Sequence, residues 1–300
     1  MVPVPSSNEL QRDPQFALAY SGIAVGASQG AYTELLPPKE IARQVRSAAE
    51  KALKIDDTLA EAHAILAMVE AKFDWNWVDA ERRFRRAIAL DPRSSNAHLA
   101  YAGGVLAPMK RWDEALEECR IALDLDPYSV QMAYCAPWTH MFQGKVELAL
   151  TEFKKLESDR PGLFAGAVAI ATIHAGRESE ALKIMEHGNV DIASLIRQSP
   201  IQLALLAYCY GRVGRTAEAL EIERQLRIAN RTQYVSAGAM YLVYAGLGRR
   251  DEAKRAAMRQ IQEHSFSVYT LMGPLFAPLR GDSELLALLK TTGMPLVDSN

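Results

Sequence analysis

ERRFRRAIALDP, running from Glu81 to Pro92, is the stretch whose reading decides the fold. Its small residue Ala87 is matched by Ala52 in EKALKIDD (Glu50 to Asp57) and by Ala122 in LEECRIALDLDP (Leu116 to Pro127). Both steps are 35 residues, and Pro127 to Pro161 continues the series at 34. Self-similarity at such a period marks a repeat architecture. Within the unit, Ala80, Phe84 and Ala87 fall at i, i+4 and i+7, as do Ala115, Cys119 and Ala122, and then Ala149, Phe153 and Leu156. That spacing puts one stripe of small and aromatic residues on one helix face.

A second amphipathic run and a short turn precede each such helix. The turns read QGKVELA around Gly144, AGRESEA around Gly176, VGRTAEA around Gly214 and LGRRDEA around Gly248. Glycine there fits the left-handed residue that closes a helix. The alanines five residues on (Ala149, Ala181, Ala219, Ala253) allow two helices to approach closely. Pro92, Pro127 and Pro161 stop the second helix. The unit is helix, tight turn, helix, stop.

This unit resembles the tetratricopeptide repeat (TPR), a helical hairpin that stacks with its neighbours. The resemblance rests on the turn glycines, the second-helix stripe, the LDP endings and LLAYCYGRVG from Leu205 to Gly214 in a first helix. It implies an all-α fold, a right-handed α-solenoid of about seven hairpins. The array is expected over residues 14–263, after a loose arm at 1–13 and before a closing segment at 264–300 with a capping helix from Asp282 to Lys290. After Arg160 the repeat weakens: Ala149 to Ala181 is 32 residues, and Glu223 sits where the stripe wants an apolar side chain. DPQFALAYSGIAVG (13–26), DWNW (74–77) and FAPLRGDSELLALLKTTGMP (276–295) also look like the C-terminal repeat regions of bacterial multidomain signalling proteins. Those repeats usually follow a winged-helix, nucleotide cyclase or kinase domain. No such effector is present in this sequence, so the expectation divides between part of a larger regulator and a free-standing adaptor.

Composition narrows the function classes. Lys+Arg number 34 against 36 Asp+Glu, a net charge of −2, which gives no global pull toward nucleic acid or anionic lipid. With 49% hydrophobic residues the chain can bury a core. The most apolar run, Leu163 to Ile173, is eleven residues, short of the roughly 20 that span a bilayer, and reads as a buried helix. The start carries no basic segment followed by an apolar run. Cys119, Cys135 and Cys209 are an odd, widely spaced set without CxxC, which argues against a disulfide framework or zinc site and for a reducing, cytoplasmic setting.

Enzymatic signatures (GxxxxGK[ST], GxGxxG after a strand, HExxH, GxSxG) do not occur, and neither catalysis nor a cofactor is expected. His63 and His98 occupy matching phrases, EAHAILA and NAHLAYA, and so share one structural slot. His140 and His174, on adjacent first helices, lack a neighbouring carboxylate in their own phrases, which weighs against a metal site. Arg82, Arg83, Arg85 and Arg86 form the densest basic cluster, read as a solvated face beside Asp79 and Glu81 rather than as a nucleic-acid patch. Trp77, like Trp112 one repeat later, is expected to pack inward at its turn, leaving Trp75 for external contact.

In TPR proteins the concave wall is built from first helices. Projected along them, the register gives Met68, Lys72, Leu99, Leu106, Tyr134, Trp138, Met141, Ile170, His174, Tyr208, Arg212 and Leu242 as a partner-binding face. The set is apolar and aromatic. Chaperone-tail clamps use Lys, Arg and Asn on the inner face, where this register places Ala64, Leu99, Gly103 and Ala100, so that ligand is rejected. Pro137 within a first helix is expected to kink it. Tyr134, Trp138 and Met141 share one face, either as interhelical core or as an aromatic anchor for a peptide. The leading expectation is a non-enzymatic protein-interaction scaffold that binds a protein or peptide along the concave face, with neither nucleic acid nor membrane as partner. The alternative is the sensor region of a transcription regulator or cyclase. Self-association through an uncapped end is a third, weakened by the expected Asp282 or Ser283 cap.

Overall fold

The repeat phrases fold as hairpins because their second helices carry one apolar stripe and their turns carry a residue that tolerates positive φ. In the computed structural model, which describes residues 36–187, 191–265 and 274–295, every regular element is a helix. α1 (Pro38–Ile55) is followed by six complete hairpins: α2 (Ala60–Lys72) with α3 (Trp77–Leu90), α4 (Ser95–Tyr101) with α5 (Trp112–Leu125), α6 (Val130–Phe142) with α7 (Val146–Asp159), α8 (Ala165–His174) with α9 (Glu178–Met185), α11 (Pro200–Arg212) with α12 (Thr216–Ala229), and α13 (Ala237–Gly246) with α14 (Arg250–Gln262). A short α10 (Ile192–Gln198) precedes α11, and α15 (Ser283–Lys290) packs on α14. The fold is an all-α helical-repeat solenoid. The arm at 1–13 and the segment 14–35, where a partner for α1 is expected, lie outside the described residues.

The chain divides into two compact units, with the division after Cys135 within α6. In the first unit, Ala80, Phe84 and Ala87 of α3 are fully buried against Ala64, Ala67 and Ala71 of α2 and Tyr101 of the next hairpin. In the second, Ala149 and Phe153 of α7 repeat the pattern. Removing a buried aromatic such as Phe84 costs about 3–5 kcal/mol. The stripe slips where the sequence departs from it: on α12 Ala219, Ile222 and Leu226 are buried, and Glu223, only 6% exposed, lies between Arg227 (2.9 Å) and Arg249 (3.0 Å).

The turns obey one rule. Gly144, Gly176, Gly214 and Gly248 have φ between 69° and 87°, and the next residue's N–H bonds the carbonyl five residues back (Lys145 to His140, Arg177 to Thr172, Arg215 to Tyr210, Arg249 to Tyr244). This is the helix-closing pattern that a left-handed residue permits. In the second hairpin Lys110 takes the same place with φ 57°, and Arg111 bonds the Leu106 carbonyl. In the first, Trp75 at φ 55° serves a wider turn, while Trp77 packs against the core and Asn76 caps α3 by accepting from the Asp79 N–H.

One sequence expectation is overturned. Cys119 on α5 and Cys135 on α6 are joined as a disulfide, with their Cα atoms 5.3 Å apart. Their spacing follows no framework motif because the pair is made by packing: a stripe position on one second helix meets the first helix of the next hairpin. The argument for a reducing compartment loses its premise. Cys209 is a free, buried thiol.

Candidate functional site

In each unit one pair of first helices stands side by side. α2 packs on α4, and α11 packs on α13. The second contact is backbone to backbone: a Cβ on Gly211 would lie 2.5 Å from the Gly246 carbonyl group, and one on Gly246 would lie 2.5 Å from Cα of Tyr208. The first helices, in close contact within these two pairs, are the elements on which the sequence places its candidate binding residues.

The structure distributes those residues unevenly. Met68, Leu99, Tyr134, Trp138, Ile170 and His174 are half-buried, and Arg212 is exposed beside Glu178 at 3.3 Å. Leu106 and Met141 are fully enclosed among neighbouring helices, and Lys72, Tyr208 and Leu242 are buried as well. Trp138 turns its ring edge toward Phe142 (5.6 Å) and Phe153 (6.5 Å), so much of its surface completes the interhelical core. Pro137 lies inside α6.

Lys72 shows why a residue placed on the wall by register need not meet a partner. Residues Ala102–Leu106 form a π-helical turn in which the Ala107 N–H bonds Ala102 rather than Gly103. The donor one residue further on would be Pro108, which has no N–H. The Gly103 carbonyl is left without a helical partner, and the Lys72 ammonium donates to it at 2.9 Å. Burial pushes Lys72 down to about 7. Met68 lies beside the same turn, and Gly104 leaves room for the Phe84 ring.

His63 and His98 do share a slot: each ring Nε2 meets the carbonyl six residues back, Asp57 for one and Pro92 for the other. His98 is buried with Nδ1 on Glu118. His140 finds the carboxylate that its own phrase lacks in Glu152 of α7, at 2.8 Å. His174 has a buried Nδ1 without a hydrogen bond, and burial pushes it down to about 4. No group of three potential ligands assembles into a metal site among the described residues, and no helix of these is long and apolar enough to cross a membrane. Of the arginine cluster, Arg82 pairs with Asp79, Arg83 with Glu70 and Arg85 with Glu81.

Sequence reading missed a ladder on the other side of the turns. In four hairpins the arginine after the left-handed position stands at the start of the second helix and reaches back to a carboxylate of the preceding second helix or its end: Arg111 to Glu81 (2.6 Å), Arg177 to Glu147 (2.8 Å), Arg215 to Glu186 (2.8 Å) and Arg249 to Glu223 (3.0 Å). Tyr101 and Tyr210 donate to the same glutamates, Glu81 and Glu186, each at 2.8 Å. The recurrent Gly-Arg of the turns was the available signal.

No family model matches the chain, and no curated protein matches it in sequence. Solved structures do share its fold. PilW, a widely conserved type IV pilus biogenesis factor, is 20% identical with a TM-score of 0.50, over 73% of this chain and 95% of PilW. Yeast Tom70 is 15% identical with a TM-score of 0.55, over 94% of this chain and 60% of its own. The Cut9–Hcn1 structure from the APC/C is 12% identical with a TM-score of 0.54, over 94% of this chain and 50% of the matched chain. At such identities the likeness is one of fold alone, that of stacked helical hairpins.

Proposed function

We propose that this protein is a non-enzymatic interaction scaffold whose wall of first helices, the concave side of a TPR array, receives a peptide or protein partner. One observation carries the reading: half-buried apolar and aromatic side chains remain on the first helices, Met68, Leu99 and Tyr134 in one unit and Trp138 and Ile170 in the other. Such a face suits an apolar segment, since aromatic anchors dominate interface energetics. Buried Lys72, His98 and Glu223 are engaged with backbone or with another ionisable side chain. Cut9, similar in fold, is seen assembled with Hcn1. The resemblance of DWNW and the closing segment to repeat regions of bacterial signalling proteins makes regulated assembly the setting we infer.

The test is capture of partners by wild type and by Leu99→Asp and Ile170→Asp chains of matched helicity, followed by amide exchange of each complex. A partner lost by either variant, with protection gained on α4 or α8, is the expected outcome. A partner held equally by all three chains, with protection confined to second helices, overturns the reading.

A further inference from the structure

Past α14, Pro274–Leu279 (PLFAPL) forms a short 3-10 helix. This segment lies against α14 and also against α8, the first helix two hairpins earlier. Tyr241 on α13 holds it: the phenol donates to the Leu275 carbonyl at 2.8 Å, and its ring stands 6.0 Å from that of Phe276. Phe276 is 4% exposed and Leu279 is fully buried. The segment therefore touches two first helices of the second unit, α13 and α8. Closing the end of the array requires only a contact with the last hairpin, which α15 already supplies through Lys254 to Asp282 and Glu284.

Two further features belong to a ligand rather than to a cap. In a 3-10 turn the Leu275 carbonyl would take the N–H of residue 278, which is a proline, so the carbonyl is open to an outside donor. Tyr241 fills that role. The segment is apolar from end to end, with one aromatic ring as its anchor.

We propose that Pro274–Leu279 is an intrachain ligand of the first-helix wall, and that it competes with an external peptide of the same chemistry: short, uncharged, with a proline-flanked aromatic residue. The proposal rests on the scaffold reading and narrows it to a partner class and a mode of regulation. A segment tethered about a dozen residues beyond α14 faces the wall at an effective concentration on the order of millimolar. An external peptide then binds with its affinity reduced by the fraction of time the wall is vacant.

The test uses the full chain and a fluorescein-labelled, C-terminally amidated peptide GPLFAPL, the sequence of residues 273–279. Fluorescence polarisation is expected to show Phe276→Ala binding the probe about tenfold or more tighter than wild type. In parallel, amide exchange of wild type with excess unlabelled peptide is expected to expose residues 274–279 while α8 and α13 stay protected. Equal probe affinity of wild type and a Phe276→Ala chain of native helicity overturns the proposal. So does an exchange pattern at 274–279 indifferent to the peptide, which decides alone if Phe276→Ala fails to fold. A captured partner that protects α8 or α13 yet is indifferent to Phe276→Ala refutes self-occupancy and leaves the scaffold reading standing. Loss of the scaffold reading itself shows instead in the Leu99→Asp and Ile170→Asp comparison.

Discussion

Gly211 and Gly246 face each other across α11 and α13 so closely that neither helix has room for a Cβ: the added atom at Gly211 would meet the Gly246 carbonyl carbon and oxygen at 2.5 Å, and the atom at Gly246 would meet Tyr208 Cα at the same distance. Both obstacles are backbone, so rotamer changes give no relief. Gly246→Ala is expected to lower stability by about 1–3 kcal/mol or more, the range of overpacked cores, despite the gain in helix propensity. Gly103→Ala, with open space around its Cβ, is the control and should change little. Chemical denaturation of the pair checks it, and equal midpoints would contradict the contact.

Lys72 and Pro108 form a coupled pair through the Gly103 carbonyl. Lys72→Met leaves that acceptor without its ammonium donor, at a cost of about 1–3 kcal/mol. Pro108→Ala in the Lys72→Met background restores an N–H and is expected to recover part of the loss. Acidity gives a second readout. The folded chain releases the Lys72 proton near pH 7, whereas the unfolded chain holds it to its ordinary value of 10.5. The unfolded state therefore binds more protons between those values, so wild-type stability should rise as pH goes from 7 toward 10.5. Lys72→Met is expected to lack that component of the slope in denaturation series across the window.

Lys110 occupies the left-handed turn position that four other hairpins give to glycine. A side chain in that conformation costs about 1 kcal/mol. Lys110→Gly should raise stability by about that amount and leave partner capture unchanged. Thermal melts measure it, and a lower melting temperature would assign the residue a compensating role.

The Cys119–Cys135 bridge closes a loop with a sequence separation of 16. A loop of that length constrains the unfolded chain by about 3 kcal/mol. Adding a dithiol reductant should lower the melting temperature of wild type and leave that of a Cys119→Ala, Cys135→Ala chain unmoved. Coincident melts of oxidised and reduced wild type would sink this prediction.

Second helices were readable and first helices were not, for one physical reason. α3 and α7 bury one face, so Ala80, Phe84 and Ala87 stand out by period. α2 and α13 are wrapped on nearly every side, with buried residues following one another from Ala64 to Ala67 and from Tyr241 to Gly246. A helix buried all round carries no period from which to choose a binding face, and so Leu106 and Met141 were assigned to a groove when they belong to the core. The turn glycines were legible because a positive φ has a residue preference. The disulfide and the return of Pro274–Leu279 to α8 were not, because both join residues that only stacking brings together. Glu223 gave a visible signal, a carboxylate in an apolar stripe, whose meaning waited on Arg249 from the next hairpin.

The bond from four turn arginines to a glutamate at the preceding second helix, 26–30 residues back, makes those four joints between hairpins chemically alike. A joint of that kind is indifferent to which repeat stands on either side of it. Excision or duplication of the hairpin α8–α9 or α11–α12 would carry one arginine and one glutamate with it and rejoin the same partners, so the length of this array is a quantity that recombination can alter there without redesigning the ladder.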